Sequence, residues 1–179
     1  MNSRGLSLYP YPSAGSLPDI TIACDIARDS NTITVRFEFL GEMEVLAIPP
    51  PADTPARKKD LWEETCLELF LGVKGSPRYW EFNLSPAGHW NVFRFDTYRK
   101  GMQEEGAFPS LPFRVQNLTG SFLLTLEIDL DRIIKAGQPL DAGISAVIKK
   151  RDGGVSYWSL DHPGPRPDFH RRDGFIIEL

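Results

Sequence analysis

Glu68, Glu81 and Glu127 occupy the polar positions of segments in which every second residue is apolar, and Asn83, Asp129 and Lys149 hold equivalent places. Side chains two apart on a strand share a face, so Glu81 and Asn83 project together. Trp62, Trp90, Tyr98 and Trp158 stand near the ends of such segments. Carboxylates and amides beside flat rings suit a polyhydroxy ligand: the rings stack on apolar C–H faces while the polar groups fix hydroxyls. For the same acidic residues a solvated outer sheet is the plainer reading, and each tryptophan taken singly reads first as core packing.

Other chemistries find less support. In the tail from Tyr157 to His170, the prolines Pro163, Pro165 and Pro167 stiffen the presentation of His162, Asp168 and His170. Those three match no zinc spacing and have no cysteine among them, so no metal site is expected. The chain lacks nucleophile-elbow, HExxH, P-loop and GxGxxG patterns, and no catalytic residue is assigned. An enzyme of sugar or cell-wall metabolism, pairing Glu68, Glu81 or Glu127 with His162 or His170, is the alternative; a protein-interaction sandwich is the third reading.

The composition narrows the partners. With 179 residues and a formal charge of -4, the chain carries no basic stripe for nucleic acid. Arg57-Lys58-Lys59 and Lys149-Lys150-Arg151 read as solvated turn charge. No run approaches the roughly 20 apolar residues of a membrane helix. Cys24 and Cys66 are the two cysteines, and Met1 to Ser16 hold no continuous apolar leader, so the expectation is unpaired thiols and a cytoplasmic protein. Oligomeric state has no signature here.

The elements that must position these residues follow from period two. Apolar residues alternate through Ile20–Ile26, Ile33–Phe39, Leu67–Leu71, Trp80–Leu84, Phe122–Ile128 and Ile144–Ile148. Shorter strands are expected over 90–96, 113–117, 154–158 and 175–179, with hairpin turns at 85–88 and 151–154. A brief helix is expected over 131–136, stopped by Gly137. The reading is all-β: residues 1–19 as an N-terminal extension, then one domain over 20–179. That domain is an antiparallel jelly-roll or immunoglobulin-like β-sandwich with one short helix, a closed barrel being second.

Four segments carry a family likeness: Leu61 to Phe70 (LWEETCLELF), Tyr79 to Trp90 (YWEFNLSPAGHW), Phe95 to Met102 (FDTYRKGM) and the Tyr157–His170 tail. Together they resemble the bacterial DOMON-like proteins, a group similar to the family-nine carbohydrate-binding modules. The likeness runs from about Ile20 to Leu179. It implies a jelly-roll-like sandwich that takes a small ligand on a concave face or at strand-end loops. Family-nine modules clamp sugar ends between tryptophans, which points to Trp62, Trp90 and Trp158, and they often carry structural calcium. Haem-binding DOMON domains use Met and His axial ligands, but Met43, Met102, His89, His162 and His170 match no such spacing, so haem is not expected. The combined expectation is a carbohydrate-type binding module without catalysis and without an obligate cofactor. Its ligand site is a shallow polar pocket bordered by Trp62, Glu81, Asn83, Trp90, Arg99, Trp158 and His162.

Overall fold

A computed structural model of the chain describes residues 5–12 and 15–179. The reading that residues 1–16 hold no leader therefore falls partly outside the described residues. Twelve strands run in the order β1 (Leu6–Pro10), β2 (Ile20–Asp29), β3 (Thr32–Gly41), β4 (Cys66–Val73), β5 (Tyr79–Leu84), β6 (Trp90–Phe95), β7 (Gln103–Glu104), β8 (Phe113–Leu118), β9 (Ser121–Asp129), β10 (Leu140–Lys149), β11 (Val155–Ser159) and β12 (Ile177–Glu178). Among the described residues every pairing between these strands is antiparallel. No helix among the described residues is long and apolar enough to cross a membrane.

The strands form two layers. One has the order β7-β6-β5-β4-β10-β11, with β12 also on β10; the other has the order β2-β3-β9-β8. Ile22, Phe37 and Leu126 of one layer and Leu69, Phe82 and Ile148 of the other are all fully buried in one shared core. This is the all-β sandwich that strict alternation requires, because period two sends one whole face of each strand inward.

Three features differ from the sequence reading. First, Leu6–Pro10 is a strand of the domain: Leu6 to Leu8 pair with β2, while Tyr9 and Pro10 pair with β11. Leu8 is buried, so β1 stitches the two layers along one edge. Five residues ending in proline give too short a pattern to announce a strand. Second, the expected helix over 131–136 is a 3-10 turn at Leu130–Arg132, capped by the Asp129 carboxylate, which accepts from the Asp131 N–H at 2.9 Å. Gly137 at φ +77 and the entry into β10 leave too few residues to extend a helical nucleus. Third, Arg57 is not solvated turn charge. Its guanidinium lies 4.3 Å over the Trp90 ring and donates to Asn91 Oδ1 (2.7 Å) and to the carbonyls of Glu105 and Phe108.

Cys24 lies in the core and Cys66 on the opposite face of its sheet, and both thiols are buried and free. Burial pushes Cys24 up to about 12 and Cys66 well above the usual thiol range. Native protein is expected to leave both thiols unreactive to a disulfide-exchange reagent near neutral pH. After denaturation without reductant both should titrate. Reaction of Cys66 in the native state would mean that the outer face of β4 is open to solvent.

Candidate functional site

The outer face of the β4–β11 layer does not resemble an ordinary solvated surface. Cys66 to Gly72 and the whole of Tyr79–Leu84 are buried, so both faces of these strands are covered. Glu68, Glu81 and Asn83 are at most 4% exposed, which overturns the solvated-face alternative for them. Glu127 and Asp129 behave as that alternative expects, exposed on the other layer, so Glu127 cannot join the pair.

Register explains which side chains meet. Ser159 pairs with Ser145, Ser145 with Glu68, Glu68 with Asn83, and Asn83 with Asn91, giving one buried polar line across five strands. Glu81 lies one pleat along, between Phe70 and Phe93. Beyond it Tyr79 stacks on Phe95 at 4.8 Å, and Phe70 and Phe175 complete a second aromatic cluster. The chain after β11 returns across this face. Its seat requires glycine at 143, where an added Cβ would lie 2.9 Å from the Phe175 ring. Arg172 anchors the same segment through the Ser76 carbonyl and Asp141 Oδ2, both at 3.1 Å.

Between the returning segment and the strands an open cavity of about 370 Å³ remains. Glu68, Glu81 and Val147 lie on its floor; Trp62, Phe95, Met102, Tyr157 and Phe169 give it apolar walls; Arg99, Asp168 and His170 supply polar groups. Trp62 projects from a 3-10 turn (Leu61–Glu63) and packs edge-on against Phe93 of β6. Tyr157 belongs to β11, so the floor strands β5, β4 and β10 separate these two aromatic residues. Asp60, which leads into the Trp62 turn, and Arg99 are two of the three non-glycine residues with left-handed backbone among the described residues. Such conformations cost of order 1–3 kcal/mol and persist where the surroundings hold them. At Arg99 the backbone N–H donates to the Tyr79 hydroxyl at 3.2 Å.

The polar groups divide into a satisfied rim and an acidic floor. On the rim, Asp168 accepts from Arg99 Nη2 (2.7 Å) and Nε (3.2 Å), from the Tyr98 hydroxyl and from the His170 N–H. Burial works to raise the Asp168 carboxyl, but these bonds outweigh it and hold the group below its ordinary range. His170 Nδ1 pairs with the Tyr79 hydroxyl at 2.9 Å, and burial lowers the ring to about 4, which keeps it neutral near neutral pH. On the floor, Ser145 donates to one Glu68 oxygen at 3.1 Å and Asn83 donates to one Glu81 oxygen at 2.8 Å. Burial pushes Glu81 up to about 7, against the opposing Asn83 bond and the Arg99 charge. Glu68 is raised well above its ordinary range by burial and then by the Glu81 charge.

Of the seven residues expected at one pocket, the fold brings Trp62, Glu81 and Arg99 to this cavity, with Asn83 beneath as the donor that orients Glu81. It does not bring the other three. Trp90 and Trp158 are about 5% exposed and face the core, Trp158 donating its indole N–H to Ser156 at 2.9 Å. His162 lies by β1, its Nε2 2.8 Å from the Tyr9 carbonyl. Among the cavity residues outside that expectation are Glu68, Tyr157, Asp168, Phe169 and His170. For Glu68 the signal was present, since it alternates with the core residues Leu67 and Leu69. The placement of 167–170 depends on how the tail folds back. No group of three or more metal-binding side chains occurs among the described residues.

No protein-family model and no curated protein matches the chain. Solved structures do. A protein of Bacteroides uniformis ATCC 8492, described as a "putative carbohydrate-binding protein", superposes with TM-score 0.63 at 16% identity, covering 87% of this chain and 76% of its own. A family-nine carbohydrate-binding module of Caldicellulosiruptor kristjanssonii, in complex with cellotriose, gives TM-score 0.54 at 11% identity over 91% and 75% of the two chains. At such identities the likeness is one of fold.

Proposed function

We propose that this chain is a carbohydrate-binding module whose ligand occupies the cavity between Trp62 and Tyr157. The observation that carries the reading is the pairing of apolar ring walls with a buried, oriented acidic floor in one open cavity. A sugar ring offers both complements: C–H faces for Trp62, Tyr157 and Phe169, and hydroxyls for Glu81, Glu68 and the Arg99–Asp168 pair. About 370 Å³ accommodates one or two sugar rings, with the chain ends free to leave through the open side. The fold shared with carbohydrate-binding proteins supports the same reading, as does the DOMON-like and family-nine resemblance of the segments around Trp62 and Tyr157. A difference from the two-tryptophan clamp is that the second wall is Tyr157 with Phe169, 6.2 Å apart.

The reading is tested by calorimetric titration with a panel of oligosaccharides that includes cellotriose. Saturable binding with no release of shortened sugar is expected. Trp62→Ala should weaken the best ligand about five- to thirtyfold, since a stacked aromatic wall contributes on the order of 1–2 kcal/mol. Its melting temperature should stay near that of the parent, because Trp62 is only partly buried. Undiminished binding by a folded Trp62→Ala protein would remove the ligand from this cavity. Release of shortened sugar would favour the enzyme reading.

A further inference from the structure

Glu68 and Glu81 form an acidic floor that ion-pairs with no lysine or arginine among the described residues, Arg99 acting on it only from a distance. Both side chains line the cavity while being at most 4% exposed. Ser145 satisfies one oxygen of Glu68, and the other has no hydrogen-bond partner among the described residues. Asn83 satisfies one oxygen of Glu81, and the other faces His170 Nε2 at 3.8 Å, beyond hydrogen-bond distance. No lysine or arginine comes within ion-pairing distance of either carboxyl among the described residues. Arg99, the guanidinium that lines the cavity, spends its Nε and Nη2 donors on Asp168. The His170 ring is neutral. Two buried acids without a counterion either retain protons or await a positive charge from outside.

Resting on the carbohydrate reading, we infer that the cavity selects a glycan bearing a free amine, its ammonium seated between Glu68 and Glu81 under the aromatic walls. Both carboxyls line the one cavity, and each would accept from an ammonium, which offers three donors. Trp62, Tyr157 and Phe169 line the same cavity, and aromatic rings favour a neighbouring cation over a neutral hydroxyl. Within the empty cavity, burial keeps protons on the floor. An arriving ammonium displaces one, so binding is coupled to proton release. A neutral sugar has no such coupling: it hydrogen-bonds to the protonated acids as they stand.

The test compares the β-1,4-linked trimer of glucosamine with the same trimer fully N-acetylated, in which each amine loses its charge and gains an acetyl group; the proton release and the two carboxyl variants separate the charge from the bulk. Calorimetry of the whole chain at about pH 6, where the amines are charged, should show the free-amine trimer binding at least about tenfold tighter. In buffers of different ionisation enthalpy, its binding should release about one proton and that of the acetylated trimer none. Glu68→Gln and Glu81→Gln, each verified as folded by its melting curve, should bring the affinity ratio of the two probes close to one. Equal or tighter binding of the acetylated trimer, with no proton release, overturns this inference and leaves the carbohydrate reading standing. Failure of both trimers and of the neutral oligosaccharide panel overturns both.

Discussion

Trp158→Ala is expected to destabilise the fold by about 3–5 kcal/mol, the usual cost of emptying a large aromatic site in a core. The Trp158 side chain is 4% exposed and belongs to the cluster shared by the two layers. It sits where β11 pairs with Ala146 on one side and Pro10 on the other, so the cavity would open at the seam that β1 closes. The Ser156 hydroxyl, itself buried, would also lose the indole donor. Urea denaturation followed by far-UV circular dichroism measures the loss. A change below about 1 kcal/mol would show that the ring is not core. Tyr157→Ala, one residue earlier and 39% exposed, is the contrast and should change stability far less.

Stability should also fall as pH rises from 4.5 to 6.5, a direction set by the acidic floor. Glu81 shifts from an ordinary value of 4.5 to about 7 in the fold, so across this window the folded chain holds a proton that the unfolded chain has released. Each such group lowers stability by about 1.4 kcal/mol per pH unit as pH increases. Glu68, also raised, acts in the same sense. His170 opposes them: lowered from 6.5 to about 4, it is neutral when folded and protonated when unfolded, so its contribution grows with pH in the same window. The Glu81 and His170 contributions largely offset each other, and Glu68 sets the net direction as a decline with rising pH. Below 4.5 the direction reverses, because Glu68 and Glu81 are then protonated in both states while His170 and the lowered Asp168 still favour higher pH. Glu81→Gln should flatten the profile between pH 4.5 and 6.5. Parallel profiles for the parent and variant, from urea midpoints across the range, would mean that Glu81 titrates as an ordinary surface acid.

Both expectations turn on the facing of single residues, and that facing marks where sequence reasoning succeeds. The alternations Ile20–Ile26, Leu67–Leu71 and Phe122–Ile128 identify the sandwich and its core, because period two admits only one burial pattern for each strand. Glu81 and Asn83 are legible as a pair for the same reason, and the structure joins them at 2.8 Å. At Tyr157-Trp158 the pattern is nearly blind: both residues are aromatic, and a shift of one residue exchanges the core for the cavity. Pairing of Val147 with Tyr157 and Ala146 with Trp158 makes the choice. Trp90 is lost to the core in the same way, as the inward neighbour of Asn91.

What the chain alone determined, then, is which segments are strands and which polar side chains share a face, since both depend on spacing within a few residues. Only the tertiary structure decided that the face bearing Glu68 and Glu81 is covered. Burial there comes from Phe169, His170, Arg172 and Phe175, about a hundred residues later, folding back over β4 and β5. A carboxylate facing water and one facing a closed aromatic wall have the same local sequence. The difference between them is desolvation, which depends on what the rest of the chain places above.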